Sequence, residues 1–370
     1  MKYQERAARK RSLLSAILKP TAIFQDTFLP LVTRSTIMFS QLAGQFGKNR
    51  RLPALEQLET RAVPAGNITA SLVNSQLRIV GTNDGDQIIV QRHGNLISIQ
   101  GVAGRFQAGA VRSIRVDAGN GNDVIRLNPE ALGGTPLTSP TIVNGGNGND
   151  TVFGSAAADT INGNDGNDHL LGGIGNDIID GGIGNDRING NSGNDRINGS
   201  AGIDIIFGMV GDDIINGGSE NDSIDCGDGN DFANGGFGDD SATGGAGSDL
   251  IHGNAGKDYL RGGSQNDSLF GDDGVDNLDG ELGNDSLYGG FGDDDLDGGD
   301  GDDHLEGGTG RDRHRGGSGR DYFLHTDALD TDEDEGTDDD TNDRNDDGIE
   351  DDSDNDRDND GIDDEHDDND

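Results

Sequence analysis

The stretch Gly-Gly-Ile-Gly-Asn-Asp-Ile-Ile-Asp-Gly-Gly-Ile-Gly-Asn-Asp-Arg-Ile-Asn, residues 172–189, states one nine-residue phrase twice. The phrase continues in both directions, and the acid at its sixth position recurs every nine residues without a slip. These acids are Asp150, Asp159, Asp168, Asp177, Asp186, Asp195, Asp204, Asp213, Asp222, Asp231, Asp240, Asp249, Asp258, Asp267, Asp276, Asp285, Asp294, Asp303, Asp312 and Asp321. A fixed period of this kind predicts a repeat architecture in which each phrase is one structural unit.

The repeat reads Gly-Gly-x-Gly-x-Asp-x-U-x, in which U is apolar. Its glycines predict tight turns with positive φ and carbonyl groups that a ligand can approach closely. Its last three positions predict a short strand whose position 8 points to one side and whose positions 7 and 9 point to the other. One aliphatic side chain per nine residues can form a thin core only if successive strands stack. A glycine-rich linker would not keep that aliphatic in phase, so we predict a stacked β-solenoid.

The sixth-position aspartate requires a cation. Stacked coils would place like charges roughly 4.8 Å apart, which is destabilising without a bridge. Calcium takes 6–8 oxygen ligands from carboxylates and carbonyls, and glycine turns beside an aspartate offer both. Magnesium prefers a tighter octahedron, and the scarcity of cysteine and of paired histidines argues against zinc and copper. The pattern therefore predicts multiple bound Ca²⁺ ions.

Residues 145–324 resemble the RTX (haemolysin-type) calcium-binding nonapeptide repeat family. The resemblance implies that two nonapeptides form one coil and that calcium lies between the turns of neighbouring coils. The expected fold class is all-β, a right-handed parallel β-roll or β-helix solenoid with a flexible N-terminal arm and an acidic C-terminal tail. The expected calcium ligands in the array are Asp150, Asp159, Asp168, Asp177, Asp186, Asp195, Asp204, Asp213, Asp222, Asp231, Asp240, Asp249, Asp258, Asp267, Asp276, Asp285, Asp294 and Asp303.

Some repeats depart from the pattern, which lowers the expected number of ions. Glu220 and Gln265 replace the glycine at position 4, and Lys257, Arg311 and Arg320 place a cation directly before the aspartate.

Three further departures, and two histidines at the variable position 7, concern other positions. Ala156–Ala157 disturb the second repeat, and Cys226 replaces a first-position glycine, which we interpret as a simple substitution. His314 takes an inward apolar position at what we expect to be the C-terminal end of the array. His169 and His304 stand at outward position 7, where we expect solvent contact.

Charge and composition divide the chain into four parts. Residues 1–62 form a basic arm, the expected export segment, although its residues 51–61 could also form a short amphipathic helix. Residues 63–140 alternate in the manner of strands, and they could be irregular solenoid coils or a small β domain. Residues 141–324 form the predicted calcium-binding β-roll, and residues 325–370 form an acidic tail.

The acidic tail contains a second repeat, of 13 residues. Its alternating oxygen side chains before a glycine resemble thrombospondin type 3 repeats, which are calcium-wrapped loops without helices. The resemblance implies metal ligation by Asp343, Asn345, Asp347, Asp351, Asp354, Asp356, Asp358, Asp360, Asp364 and Asp367. A solvated acidic tail is the alternative interpretation.

The formal net charge of −44 makes polynucleotides poor partners, and no apolar run approaches the length of a transmembrane span. The common hydrolase and nucleotide-binding motifs are not found in the sequence, so we expect no enzyme. We expect a secreted or cell-surface, extracellular calcium-binding protein with a structural or adhesive role and with partners among cell-surface or matrix components. The alternative is the calcium-binding part of a toxin or secreted hydrolase system whose catalytic unit lies elsewhere.

Overall fold

The computed structural model describes residues 68–127, 135–325 and 331–332. The predicted basic arm and the ten predicted metal ligands of the acidic tail lie outside these residues. Within them the chain forms 29 β-strands, numbered along the chain, and one 3₁₀ turn at Ala108–Ala110. The predicted all-β fold class and the parallel solenoid are confirmed. No helix of the described part is long and apolar enough to cross a membrane.

The strands form two long sheets that alternate along the chain, as expected if each coil contributes one strand to each sheet. Sheet 1 contains, in spatial order, β1 (Thr69–Val73), β2 (Gln76–Val80), β6 (Ser113–Asn120), β8 (Thr141–Asn147), β10 (Asp159–Asp165), β12 (Ile178–Ile183), β14 (Arg196–Ala201), β16 (Ile214–Ser219), β18 (Phe232–Phe237), β20 (Leu250–Gly256), β22 (Ser268–Gly274), β24 (Ser286–Phe291), β26 (His304–Thr309) and β28 (Tyr322–Leu324).

Sheet 2 contains the remaining strands. In spatial order they are β5 (Phe106–Gln107), β4 (Leu96–Ile99), β3 (Gln87–His93), β7 (Val124–Leu127), β9 (Thr151–Phe153), β11 (His169–Ile174), β13 (Arg187–Ser192), β15 (Ile205–Val210), β17 (Ser223–Asp228), β19 (Ser241–Ala246), β21 (Tyr259–Ser264), β23 (Asn277–Leu282), β25 (Asp295–Asp300), β27 (Arg313–Ser318) and β29 (Thr331–Asp332).

The register of the parallel strands equals two nonapeptides. In sheet 1 Ile161 pairs with Ile179, and in sheet 2 Ile188 pairs with Ile206. Each of these position-8 side chains is at most 1% exposed, whereas the flanking positions 7 and 9 are partly or fully exposed. The alternation places a single column of aliphatic side chains from each sheet in a narrow core, as the repeat predicts. Burial of one such side chain is worth about 1.5–3 kcal/mol.

The N-terminal strands continue these sheets. β2 pairs with β6 and β3 pairs with β7, both parallel, and β6 and β7 pair in turn with β8 and β9. Antiparallel pairs occur only at the outer end of this region, between β1 and β2 and among β3, β4 and β5. This arrangement favours irregular solenoid coils over a separate β domain, and the four-part division of the chain stays a prediction.

Side chains outside the core also stack between coils. On the outer face of sheet 1, His304 stacks on Tyr322 with ring centroids 5.0 Å apart, and His252 stacks on Phe270 at 4.5 Å. On sheet 2, His169 meets the ring of Phe153 edge-on at 6.5 Å. His169 and His304 face outward and are partly exposed, as expected, and each also contacts an aromatic ring of a strand one coil away.

Candidate metal centre

Two ladders of buried aspartates run along the solenoid, one at each set of turns. Each aspartate ends a turn and precedes a strand, so its carboxylate enters the space between two stacked turns. Ladder 1, at the turns that lead into sheet 2, contains Asp86, Asp123, Asp150, Asp168, Asp186, Asp204, Asp222, Asp240, Asp258, Asp276, Asp294 and Asp312. Ladder 2, at the turns that lead into sheet 1, contains Asp159, Asp177, Asp195, Asp213, Asp231, Asp249, Asp267, Asp285, Asp303 and Asp321. All are at most 6% exposed.

One carboxylate oxygen of each aspartate joins neighbouring coils. The backbone N–H of Asp168 donates to Oδ1 of Asp186 at 2.7 Å, and the N–H of Asp186 donates to Oδ1 of Asp204 at 2.8 Å. The same bond recurs along ladder 2, where the N–H of Asp195 donates to Oδ1 of Asp213 at 2.7 Å. The sixth-position aspartate therefore has a structural role in addition to the predicted role in metal binding. A hydrogen bond to a charged acceptor contributes about 1.5–3 kcal/mol.

The second oxygen is the candidate ligand atom. With the exception of Asp159, Oδ2 of every predicted array ligand is buried and has no hydrogen-bond partner. Buried polar atoms are normally satisfied, and a charged one left alone carries a large desolvation penalty. This recurring orphan oxygen indicates a partner that is neither a side chain nor a main-chain N–H group.

Every orphan oxygen of the predicted array ligands except that of Asp231, whose repeat begins with Cys226, lies close to the Cα of a first-position glycine, and we call this contact the position-1 cradle. At Gly181 a Cβ atom would lie 2.3 Å from Oδ2 of Asp186 and 2.7 Å from the carbonyl oxygen of Gly199, one coil further along. A carboxylate oxygen and a carbonyl oxygen thus border the same small space, and only glycine leaves that space open. Repetition of this geometry explains why position 1 is glycine in nearly every repeat.

Burial raises the pKa values of the predicted array ligands. For Asp186, desolvation is the largest cause, and repulsion from Asp168 and Asp204 adds to it, so that its pKa rises from 3.8 to about 7. The carboxyls that reach a pKa of about 7 are Asp150, Asp177, Asp186, Asp213, Asp222, Asp258, Asp267, Asp294 and Asp303. A rise of this size costs the charged form about 4 kcal/mol. A few such charges would exceed the stability of a typical domain, about 5–15 kcal/mol, so the ionised array needs a cation.

The donor set fits calcium. In the described part of the chain, no three His, Cys, Asp or Glu side chains converge into a metal-binding group. A cation here would therefore need main-chain oxygens besides the two aspartates of adjacent coils. Hard cations with flexible all-oxygen coordination have this preference, and among them Ca²⁺ accepts many carbonyl ligands, whereas Mg²⁺ retains water.

The second repeat departs from this geometry. Oδ2 of Asp159 accepts the N–H of Ser155 at 2.6 Å, while its Oδ1 accepts the hydroxyls of Ser155 at 3.0 Å and Thr141 at 2.7 Å. Both oxygens are thus satisfied within the protein, and Asp159 differs from the other predicted array ligands. The predicted disturbance at Ala156–Ala157 coincides with this turn.

Cys226 marks a second irregular cradle. Its thiol is fully buried at the position where Gly208 and Gly244 leave space in adjacent coils. Burial raises the pKa of this thiol well above its usual value, and the carboxylates of Asp231 and Asp249 add to the rise. A neutral thiol therefore occupies space that the other repeats keep open.

The sequence pattern did not reveal a role for position 5. The N–H of Asn167 donates to Oδ1 of Asn149 at 3.0 Å, and the N–H of Asn185 donates to Oδ1 of Asn167 at 3.0 Å. These bonds run toward the preceding coil, opposite to those of the aspartate ladders. Lys257 donates its N–H to Oδ1 of Asp239 at 2.9 Å but its own side chain offers no acceptor. The recurrence of asparagine or aspartate at position 5 was the available signal.

The two position-4 departures keep a positive φ but not the value of the glycines. Glu220 and Gln265 adopt φ values of 74° and 78°, whereas the position-4 glycines Gly175 and Gly247 lie at 137° and 139°. A non-glycine residue in this left-handed region costs roughly 1–2 kcal/mol.

The family comparison covers the same part of the chain. A family model described as the RTX calcium-binding nonapeptide repeat (4 copies) matches ten overlapping windows between residues 144 and 323. Residues 144–323 of the solenoid are built of RTX repeats. These repeats imply calcium binding. The chain has no significant match among curated proteins.

The RTX array thus places its predicted ligands in two buried ladders, with Asp159 hydrogen-bonded differently from the rest. The assignment of individual aspartates as calcium ligands stays a prediction. His314, predicted at the C-terminal end, is fully buried in β27 and lies near the rings of Phe323 and His325.

Proposed function

We propose that this chain is an exported calcium-binding protein whose RTX solenoid folds when multiple Ca²⁺ ions bind between its turns. The observation that carries the proposal is the orphan Oδ2 atom, which recurs in the buried aspartates of both ladders beside an open position-1 cradle. When bound, the metal would supply the positive charge that the buried carboxylates lack.

The chain's own residues account for the dependence on calcium. Without metal at neutral pH, ionised aspartates such as Asp186 and Asp213 would be buried beside like charges one coil away. The position-8 aliphatics form only a thin core, which opposes this repulsion weakly. Where a metal site does not form in the unfolded chain, the binding free energy becomes folding free energy. Calcium is scarce in the cytosol, so we expect the array to fold after export.

We further propose a structural or adhesive role at the cell surface or in the extracellular matrix. RTX proteins are typically secreted, and a long solenoid with two outer sheet faces offers an extended binding surface. The calcium-loop interpretation of the acidic tail belongs to the same proposal, because extracellular modules bind calcium with Kd values of about 10⁻⁴–10⁻³ M. The tail would add calcium capacity.

Two measurements test this proposal. Isothermal titration of the purified chain should show several calcium ions bound per chain, and little binding in the magnesium control. Antibody labelling of intact producing cells should detect the chain outside the cell. Calcium binding that is no stronger than magnesium binding would refute the first part, and retention in the cytosol would refute the second. A catalytic subunit that copurifies with the chain would instead favour the toxin or hydrolase system.

A further inference from the structure

The N-terminal coils differ from the array in how they satisfy their buried carboxylates. In the turn before β3, the N–H and hydroxyl of Thr82 donate to Oδ2 of Asp86 at 2.6 and 3.1 Å. In the turn before β10, the N–H of Ser155 likewise donates to Oδ2 of Asp159 at 2.6 Å, while its hydroxyl donates to Oδ1 at 3.0 Å. The atom that is an orphan in the array therefore has protein donors in these two turns, which we call the hydroxyl-capped turns.

The hydroxyl-capped turns also have a different backbone. Array turns hold positions 2 and 4 at positive φ, as in Gly173 at 114° and Gly175 at 137°. In the capped turns, by contrast, the N–H at position 4 donates to the position-2 hydroxyl: Ala157 to Ser155 and Asp84 to Thr82, both at 3.2 Å. Side chain-to-backbone bonds of this kind stabilise a turn locally. Both oxygens of Asp159 and Oδ2 of Asp86 are thus satisfied within the protein, whereas Oδ1 of Asp86 is buried without a hydrogen-bond partner.

Each ladder begins with a hydroxyl-capped turn. Asp86 is the first aspartate of ladder 1, and Asp159 is the first aspartate of ladder 2. Between them Asp123 retains an orphan Oδ2, and its N–H donates to Oδ1 of Asp150 at 2.8 Å. Asp123 therefore resembles the array aspartates although it belongs to the N-terminal coils, and in ladder 1 it lies between the capped turn of Asp86 and the first array aspartate, Asp150.

The core is also denser in the N-terminal coils. In residues 68–127 and 135–143, which we call the N-terminal cap, several aliphatic side chains per coil are buried instead of one per nonapeptide. They are Leu77, Ile79, Ile88, Ile89, Val90, Ile97, Ile99, Val111, Ile114, Val116, Ala118, Ile125, Leu127, Leu137 and Val143. Because buried apolar area is the main stabilising contribution to folding, this segment has a source of stability that the array lacks.

The cap presents bonding partners to the first coil of the array. β6 and β7 offer paired edges to β8 and β9. The N–H and hydroxyl of Thr141 in β8 donate to Oδ1 of Asp159 at 3.2 and 2.7 Å. In a solenoid each repeat is stabilised by its neighbours, so a folded end coil removes the cost of starting the array.

We propose that the N-terminal cap folds without calcium and starts calcium-driven folding of the array, which then proceeds from residue 144 toward residue 324. This inference rests on the proposed function and specifies how it is regulated. The metal would control extension of the solenoid, while the cap would determine where extension begins.

Hydrogen–deuterium exchange of the full chain tests the first half of this inference. In chelator at neutral pH, peptides of the cap should be protected while peptides of the array exchange freely. As calcium is added, protection should appear first next to β8 and spread toward β28. Equal exchange of the cap and the array in chelator would overturn the inference. So would protection that arises simultaneously along the array or begins near β28. Absence of any calcium-induced protection would instead refute the proposed function.

Folding kinetics test the second half with a matched pair of variants. Ile114→Ala in the cap and Ile251→Ala in the array remove the same atoms from positions that are both 0% exposed. After a calcium jump, Ile114→Ala should fold at least tenfold more slowly than the unmodified chain. Ile251→Ala should fold at nearly the unmodified rate and unfold faster when calcium is removed. The reverse pattern, or equal slowing by both variants, would overturn the inference.

Discussion

Asp186→Asn should have opposite effects on the protein with and without calcium. Asp186 is 2% exposed, and burial raises its pKa from 3.8 to about 7. At neutral pH its charge therefore costs the metal-free fold about 4 kcal/mol, which the neutral amide removes. The new amide N–H₂ group costs about 1–3 kcal/mol if it finds no acceptor. The metal-free fold should gain roughly 1–3 kcal/mol.

With calcium, the same substitution removes a carboxylate ligand. A site occupied at about 100 times its Kd contributes about 2.7 kcal/mol to stability, so loss of one site should lower the calcium-dependent stabilisation by that amount. The assay is urea unfolding near pH 6, with saturating calcium and with chelator; at that pH the charge costs about 3 kcal/mol, so the expected metal-free gain is about 0–2 kcal/mol. Asp165→Asn is the matched control, because Asp165 is exposed at the end of β10 and undergoes the same chemical change. A variant equally destabilised in both conditions would show that Asp186 acts only as a hydrogen-bond acceptor.

Three further predictions concern pH, the cradle and the turns. The native pKa values exceed the unfolded value near 3.8, so the metal-free fold is most stable below about pH 4 and loses stability as the pH rises to about 7. Circular dichroism in chelator should therefore show β-structure in acid that disappears toward neutral pH. A β signal that increases with pH would contradict this prediction. Gly181→Ala should lower calcium affinity at least tenfold in an isothermal titration, since its Cβ would lie 2.3 Å from Oδ2 of Asp186. The control Gly109→Ala, whose Cβ would lie in open space, should have no effect. Equal effects of the two variants would refute the role of the position-1 cradle in calcium binding. Gln265→Gly should stabilise the calcium-bound protein by about 1 kcal/mol in urea unfolding, because Gln265 has a φ of 78° and glycine adopts such a value without strain. Gln265→Ala should give no such gain. Equal gains from the two variants would exclude backbone strain as the cause.

The sequence predicted what depends on the nine-residue period alone. That period fixes which side chain faces inward, and so position 8 is buried and the sixth-position aspartates form two columns, as expected. The partner of each hydrogen bond depends instead on the 18-residue spacing between coils and on the direction of the turn. The bond from the N–H of Asp168 to Asp186 and the reverse bond from Asn185 to Asn167 were therefore missed.

The missed exceptions have local physical causes. Asp159 belongs to an in-phase repeat, but Ser155 donates to both of its carboxylate oxygens and replaces the glycine geometry. The stacking of His304 on Tyr322 depends on the spacing of the coils, because the two residues lie 18 positions apart in sequence. In the irregular coils before residue 140, Asp123 keeps the nine-residue phase, 27 residues before Asp150, whereas Asp86 lies 37 residues before Asp123 and is out of phase; the strands of these coils nevertheless join the same sheets.

The most direct test of the account is far-UV circular dichroism of the full chain during a calcium titration at neutral pH, with magnesium as the control. We expect a cooperative increase of β signal near millimolar calcium, an equal loss after chelation and no such increase with magnesium. The same β content in chelator as in calcium would contradict the account, because the array would then fold without a cation to neutralise its buried aspartates.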